Sequence, residues 1–364
     1  MKEDKLTQIA GQFIDIEQVD RVSPLGEGFI NDTFLIYPKA EGQSKLLLQR
    51  KNKNIFINIP AMMENINLVT KHLKTKIKAQ GGDPEREALT LVTAKDGKFY
   101  YMDEADDYWT ACLFIEPHQV IETVDNSSIA YSGGKGVGRF QAMLADFEGE
   151  LTDILPGFHD IKFRFDQWDK VLAEDRVGRK AEVLEEIEWI ESRRAEMLDY
   201  WKLVEEGQIP RRITHNDTKI SNILFDLEGD VLCMIDLDTV SQSPASNDFG
   251  DAIRSYSNTA VEDEPDLSKV SMNLERYREF TRGYLEEAGS FLNEKELEYL
   301  PFSAKYITYE QVLRFLMDYI DGDRYYKTKS EDHNLVRTRS QYKLLQSMEE
   351  QYAEMQQLTK EFVS

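Results

Sequence analysis

Ile213-Thr214-His215-Asn216-Asp217-Thr218-Lys219-Ile220-Ser221-Asn222-Ile223-Leu224-Phe225-Asp226 holds more chemistry than any other run of this 364-residue chain. Its apolar ends read as short strands, and between them lies a polar loop with a histidine, an aspartate, a lysine and an asparagine. Further on, Met234-Ile235-Asp236-Leu237-Asp238 sets an aspartate at the end of another apolar strand. Taken singly, His, Asn and Asp in a loop are turn formers and caps, because their side chains bond nearby backbone. As a set between two strands, followed by a strand-terminal aspartate, they have a chemical use.

The loop skeleton is His-x-Asp-x-x-x-x-Asn, and it resembles the catalytic loop of protein-kinase-like enzymes, where the Asp takes the acceptor proton and the Asn holds a metal. Phosphoryl transfer asks a protein mainly for positioning and charge neutralisation. Mg²⁺ takes hard oxygen ligands, often one or two carboxylates plus phosphate oxygens. Asn222 and Asp236 are expected to supply such oxygens, Asp217 the base, and Lys219 a contact to the transferring phosphate of ATP.

Outward from the loop the chain changes character. On the N-terminal side, helical spacing over Lys5 to Ile16 predicts a leading helix, and Val19 to Tyr37 reads as strand, glycine turn, strand. Strands follow at 45–49, 89–92, 99–102 and 109–115, with one helix opened by Pro60 whose stripe is Met63, Ile66, Leu68, Val69 and Leu73. Beyond Glu116-Pro117-His118, long charged helical segments are expected at 125–147, 180–206, 268–288, 294–322 and 335–362, interrupted by the β-rich island 212–238. The expected fold is α+β: a small β-rich N-terminal lobe over 1–116, a hinge about 113–118, and a large helical lobe over 117–364.

Composition bounds the partners. Sixty-seven acidic against 44 basic residues give a net charge of −23, which repels polyphosphate and argues against nucleic acid or an anionic membrane as the main partner. The first fifteen residues are charged, no apolar run approaches spanning length, and Cys112 and Cys233 sit in apolar runs without metal-ligand spacing. A cytoplasmic location is expected by elimination.

Two glycine clusters read differently. Gly26-Glu27-Gly28-Phe29-Ile30-Asn31 resembles a nucleotide loop, although a short glycine pair between strands is ordinarily a hairpin turn. Gly133-Gly134-Lys135-Gly136-Val137-Gly138 mimics a phosphate fingerprint, but no strand precedes it and no Ser or Thr follows the Lys; close helix packing accounts for it better.

The catalytic loop together with Ile235-Asp236-Leu237-Asp238-Thr239 resembles the aminoglycoside phosphotransferase and choline kinase superfamily. Gly26-x-Gly28-x-Ile30-Asn31, Phe114-Ile115-Glu116, Asp248-Phe249-Gly250-Asp251-x-Ile253-Arg254, Glu262-Asp263-Glu264, Asp266 to Val270, Arg314-Phe315-Leu316 and His333 to Arg339 extend the likeness to bacterial N-acetylhexosamine 1-kinases. The resemblance implies Asp217 as base, Asn222 and Asp236 on Mg²⁺, and Lys219 on phosphate. It further implies that Gly26, Gly28, Asn31 and the backbone of Leu113, Phe114, Ile115 and Glu116 meet the nucleotide, and that Arg314 and Tyr325 meet the sugar. Read from the residues alone, Arg314 serves equally well as one half of a structural salt bridge. Gln49 stands where the third-strand phosphate Lys aligns, with Arg50 and Lys51 the candidates to replace it. A kinase of a cationic or amino alcohol (aminoglycoside, choline or homoserine type) is the rival, and the acidic charge suits it. A kinase-like binding module without catalysis is disfavoured because Asp217, Asn222 and Asp236 are all present.

Overall fold

The computed structural model describes residues 3–26 (backbone alone at residue 3), 30–121, 123–124 and 126–363. The chain divides into two compact units. The first takes the residues up to His118 together with 148–155 and 237–239, and the second takes Gln119–Phe147, Pro156–Asp236 and the chain from Val240 onward.

The first unit opens with α1 (Glu3–Ala10), which buries Leu6, Ile9 and Ala10. This helix is shorter than the sequence spacing suggested. It stops at Gly11, a poor helix former, and the chain continues through a 3₁₀ turn at Ile16–Gln18 while Phe13 stays buried. Strands β1 (Val19–Pro24), β2 (Asp32–Pro38) and β3 (Leu46–Arg50) follow. After α2 (Ile59–Ala79) and the single turn α3 (Pro84–Glu87) come β4 (Leu91–Val92), β5 (Tyr101–Met102) and β6 (Tyr108–Leu113). The antiparallel sheet runs β1-β2-β3-β6-β4, with β5 also on β6. Ile36, Leu48 and Trp109 lie at 0% exposure in its core.

Helix α2 is capped by Asn58, whose side chain accepts the Ala61 N–H at 3.1 Å, and Pro60 sits in its first turn. It buries Met62, Met63, Ile66, Val69, Leu73 and Ile77, each apolar side chain contributing about 1.5–3 kcal/mol when fully buried. Leu68 lies off this stripe and is half-buried. Asn65 on the same helix binds the returning segment twice: its Nδ2 donates to the Thr152 carbonyl at 2.8 Å and its Oδ1 accepts the Thr152 N–H at 3.0 Å.

The second unit contains β7 (Gln119–Val120), α4 (Ser127–Leu144), α5 (Ile161–Glu174), α6 (Leu184–Glu191), α7 (Arg194–Glu205), β8 (Arg211–Thr214), β9 (Ile223–Phe225), β10 (Val231–Met234) and β11 (Ser241–Pro244). Then come α8 (Ala245–Tyr256), α9 (Leu274–Ala288), α10 (Glu294–Ile320), α11 (His333–Glu350) and α12 (Tyr352–Val363). Two small antiparallel sheets, β10-β9-β7 and β11-β8, bracket the polar loop. The expected helices over 180–206 and 335–362 are each broken, the first around residues 192–193 and the second at Gln351. Helix α5 was not anticipated, although Ile161, Phe165 and Trp168 form its buried stripe and Asp160 caps it. Helix α8 escaped notice for a different reason. Phe249, Ala252, Ile253 and Tyr256 do give it an apolar face, but its polar face, with Asn247, Asp248, Asp251 and Arg254, is buried as well, which the sequence does not reveal.

The glycines of α4 are a packing device. A Cβ on Gly134 would lie 2.1 Å from the Phe280 carbonyl oxygen, and one on Gly138 would lie 2.6 Å from that of Tyr284. The partner helix reciprocates, since a Cβ on Gly283 would lie 2.2 Å from the Tyr131 oxygen. Helices α4 and α9 therefore approach backbone to backbone, as the small-residue reading of this stretch expects. A large aromatic core, with Trp168, Tyr200, Trp201, Tyr306 and Tyr309, joins α5, α7 and α10.

Candidate active site

The polar loop leaves β8 at Thr214, which pairs with Ser241 of β11. Asn216 adopts a left-handed conformation (φ 65°), which Asn tolerates better than most side chains. The turn is anchored from beneath by Asp248 of α8, itself fully buried. Its carboxylate accepts the backbone N–H groups of His215 at 2.9 Å and Asn216 at 2.7 Å, and the Gln141 amide at 2.8 Å. The Thr218 hydroxyl adds a bond to the Asp248 carbonyl at 2.6 Å. Burial pushes the Asp248 carboxyl up, and His215 with these donors opposes the push.

His215 joins the loop to the strand that precedes Asp236. The Asp217 N–H donates to its Nδ1 at 3.3 Å, so the proton lies on Nε2, which donates to the Ile235 carbonyl at 2.8 Å. The other side of Ile235 is held by Asn222, whose carbonyl accepts the Ile235 N–H at 2.9 Å. Asn222 and Asp236 thus flank one bonded pair of backbones. Asp236 itself is left-handed, with φ 60°.

The Asp217 side chain keeps 24% of its surface. Its Oδ2 accepts the Lys219 ammonium at 2.8 Å and the Asn222 amide at 2.7 Å, and that amide nitrogen also donates to the Asp217 carbonyl at 2.9 Å. Burial pushes the carboxyl up, but the charge and hydrogen bond of Lys219, with the Asn222 amide, hold it below its ordinary value. It is a carboxylate at neutral pH. Lys219 remains an ammonium for the converse reason: burial disfavours its charge, and Asp217, Asp236 and Asp251 more than restore it.

This donor set suits a hard divalent cation. The Asn222 nitrogen is occupied by Asp217, which leaves its Oδ1 as an oxygen donor, and the Asp236 carboxylate follows the Ile235 whose N–H the Asn222 carbonyl accepts. Among the described residues no group of three or more His, Cys, Asp or Glu side chains gathers as a metal cluster. A metal here would depend on two protein residues and on phosphate oxygens, the usual Mg²⁺ arrangement. The site as a whole can hold a base, a cation and hard oxygens from one short loop and from the residue after Ile235.

Arg314 lies on α10 at 8% exposure. Its guanidinium carbon stands 5.4, 5.7 and 5.6 Å from the ring centres of Phe158, Tyr325 and Tyr326. Burial works against its charge, and Tyr326, Tyr325 and Glu310 outweigh burial. Tyr325 is 46% exposed on a loop folded by Asp318. That carboxylate accepts the N–H groups of Arg324 at 2.9 Å, Tyr325 at 2.8 Å and Tyr326 at 3.0 Å. The structure therefore brings Arg314 and Tyr325 together, and it gathers Asp217, Lys219, Asn222 and Asp236 separately.

The residues expected to meet the nucleotide belong to the first unit. Gly26 is left-handed (φ 67°) and its Cβ position is open, while Gly28 lies outside the described residues. Asn31 is buried and structural in its contacts: Nδ2 donates to Asp238 at 2.8 Å and Oδ1 accepts the Asn52 N–H at 3.1 Å. Lys51, not Arg50, is the buried cation at the end of β3. Its ammonium sits 2.7 Å from both Asp238 oxygens and 2.7 Å from Gln49 Oε1, whereas Arg50 pairs with Asp32 and Asp107. In the expected hinge, the Phe114 N–H donates to the Lys45 carbonyl at 2.9 Å, the Ile115 carbonyl meets His118 Nδ1 at 2.6 Å, and the Glu116 carboxylate pairs with Lys45 at 2.8 Å.

Sequence reasoning missed the roles of Asp248, His159 and Glu310. Their signal lies in burial, which a polar helix and a turn histidine do not advertise.

The model of the APH family, described as the phosphotransferase enzyme family, matches residues 21–284. Spectinomycin phosphotransferase APH(9)-Ia, solved with ADP and spectinomycin, aligns over 97% of this chain and 99% of its own at 12% identity and a TM-score of 0.60. A microcompartment-associated aminopropanol kinase aligns over 97% and 98% at 16% identity and 0.60. An ethanolamine kinase from Plasmodium vivax aligns over 92% and 85% at 13% identity and 0.55. With its β-rich N-terminal unit, its larger helical unit and the loop of Asp217 between small sheets, this chain belongs to the APH phosphotransferase family and has the α+β, protein-kinase-like fold.

Proposed function

We propose that the protein transfers the γ-phosphoryl group of ATP to the anomeric hydroxyl of an N-acetylhexosamine, N-acetylglucosamine or N-acetylgalactosamine, giving the sugar 1-phosphate. The observation that carries the phosphoryl transfer is the ionised, partly exposed Asp217, aimed by Lys219 and Asn222. Asp217 accepts the proton of the attacking hydroxyl. An anomeric hydroxyl is more acidic than an ordinary alcohol and suits a carboxylate base. Lys219 exchanges its bond to Asp217 for the moving phosphoryl oxygens. Mg²⁺, when bound by Asn222 and Asp236, neutralises phosphate charge. On this reading, residues up to the hinge around 113–118 form the nucleotide lobe, with adenine against the backbone of 113–116, Gly26, Gly28 and Asn31 near the phosphates, and the catalytic and sugar residues in the lobe from 117 to 364.

The acceptor assignment rests on Arg314, Tyr325 and the motif likeness around them. An Arg fork bonds neutral sugar oxygens well. Arg314 and the buried Arg337, which stands 5.4 Å from the Phe315 ring, also make this region cationic and repel a substrate ammonium. The second reading, an amino-alcohol kinase, is favoured by the net charge of −23 and by the aminopropanol and ethanolamine kinases among the neighbours.

One experiment separates them. ADP release is followed with Mg²⁺ across N-acetylhexosamines, aminoglycosides, choline and homoserine, and the product is read by ³¹P and ¹H NMR. The expected product carries phosphate on C1, and Arg314→Ala is expected to lower kcat/KM for the sugar by about 2–4 kcal/mol while leaving the KM for ATP nearly unchanged. Phosphate on the 6-hydroxyl, or turnover confined to amino alcohols, overturns the assignment.

A further inference from the structure

Behind the catalytic loop lies a buried charge cluster that the proposed chemistry does not use. His159 ends the turn before α5 in a left-handed conformation (φ 57°) and is 3% exposed. Its Nδ1 meets Glu310 Oε2 at 2.5 Å, and its Nε2 meets the Asn216 carbonyl oxygen at 3.0 Å. Glu310, at 0% exposure on α10, accepts Arg164 Nε on its other oxygen at 3.1 Å. The Tyr306 hydroxyl donates to the His159 carbonyl at 2.8 Å, and the Phe158 ring packs 4.2 Å away.

Both partners of the imidazole are acceptors. A neutral ring has one N–H, so it could satisfy only one of them and would turn a lone pair on the other. A buried lone-pair clash of this kind costs about as much as a lost hydrogen bond. The Asn216 carbonyl is the one joined to the Asp217 nitrogen, and Asn216 is the left-handed residue of the loop. The peptide that carries Asp217 is therefore gripped on its carbonyl side by His159, as Asp248 grips the preceding N–H groups.

We propose that His159 is a positioning residue: held as an imidazolium by Glu310, it fixes the 216–217 peptide and so aims the Asp217 carboxylate. This rests on Asp217 being the base. Glu310 also stands one helical turn before Arg314, so the same carboxylate that charges His159 lies beside the residue assigned to the sugar. The charged and titratable groups around the ring are Glu310 and Arg314 on α10, Arg164 on α5 and the Tyr306 hydroxyl, with Asp160 next to it in the chain and Asp217 next to Asn216. Burial draws the imidazole pKa down, but the charge and hydrogen bond of Glu310 and the bond to Asn216 outweigh it, and the net shift is upward from 6.5. Glu310 is held well below its ordinary value by His159, Arg164 and Arg314, against the push of burial. A raised value in the folded protein means that the contribution is whole below pH 6.5 and fades only as pH climbs through the folded pKa.

The test compares kcat against pH for the full-length wild type, His159→Gln, His159→Leu and Glu310→Gln, with Asp217→Asn alongside. Gln at 159 can still donate to Asn216 and is expected to retain most activity, with an alkaline limb that no longer reports the imidazole. Leu is expected to lower kcat about 10–100-fold with little change in KM for ATP. Glu310→Gln is expected to move the alkaline limb to lower pH. As a readout independent of turnover, ¹⁵N NMR of the wild-type ring at pH 7.5, with His159→Gln assigning the signal, is expected to show two protonated nitrogens. A neutral ring at that pH overturns the proposal. So does a folded His159→Leu or Glu310→Gln with kcat within twofold of wild type and an unmoved profile, provided Asp217→Asn is inactive. An active Asp217→Asn instead overturns the base assignment itself.

Discussion

Replacing Asp248 with alanine tests how the catalytic loop is held. The substitution removes the acceptor of two backbone N–H groups, those of His215 and Asn216, in residues exposed by 0% and 2%. Gln141 loses one bond but keeps another, to the Ala245 carbonyl at 3.0 Å. Two orphaned buried donors at about 1–3 kcal/mol each give a loss of about 2–6 kcal/mol. That is a large share of the roughly 5–15 kcal/mol that keeps a domain folded. A water entering the vacated volume would bring the value toward the lower end. Urea unfolding followed by tryptophan fluorescence suits the measurement, because Trp168, Trp189 and Trp201 all lie in the second unit. Asp248→Asn retains one acceptor oxygen and is expected to fall between wild type and alanine. A loss under 1 kcal/mol in Asp248→Ala with unchanged kcat would refute the view that this carboxylate shapes the loop.

Asp217→Asn, nearly isosteric, is expected to keep the fold and to lose about 10²–10⁴ in kcat; near-normal turnover in a protein with unchanged Tm rejects the base assignment. Asn222→Ala and Asp236→Ala are expected to raise the Mg²⁺ concentration needed for half-maximal activity, and full activity of either at limiting Mg²⁺ is incompatible with a metal role. Gly134→Ala drives a methyl to within 2.1 Å of a backbone oxygen and is expected to cost about 1–3 kcal/mol or more, whereas Gly136→Ala meets only the Val231 side chain and is expected to cost less; equal costs by urea unfolding would contradict the backbone-contact argument. Asp103 is disfavoured as an anion by burial, yet Lys5 and the N–H groups of Asp107 and Ala105 draw its pKa from 3.8 to about 2. Its contribution is therefore present above pH 3.8 and disappears toward pH 2, so Asp103→Asn is expected to flatten stability against pH across that window, as read by Tm.

The clustering of side chains was legible where it was local. Asp217, Lys219 and Asn222 fall within six residues, and one loop makes them neighbours whatever surrounds it. The strands of the first unit and the apolar stripe of α2 were legible because a half-exposed element must alternate or recur. What escaped is what depends on distance along the chain. Lys51 binds Asp238 across 187 positions and His159 binds Glu310 across 151, and no period or motif links such pairs. Helix α8 has an apolar face, but nothing in the sequence shows that its polar face is buried too, with Asp248 on it anchoring the loop. The glycines of α4 were correctly separated from a phosphate loop, but the partner that requires them, the backbone of α9, was beyond reach of the sequence.

Asn216 and Asp236 share a feature with a consequence for anyone who selects this protein for heat resistance. Both hold left-handed backbones, φ 65° and 60°, where glycine is at ease and other residues incur about 1 kcal/mol or more. At position 236 a glycine relieves that conformational cost and deletes the carboxylate in one step. On the metal role proposed for Asp236, screens scored on survival after heating alone are expected to admit sequences that no longer turn over, and the hardiest clones would have to be sorted again by catalysis.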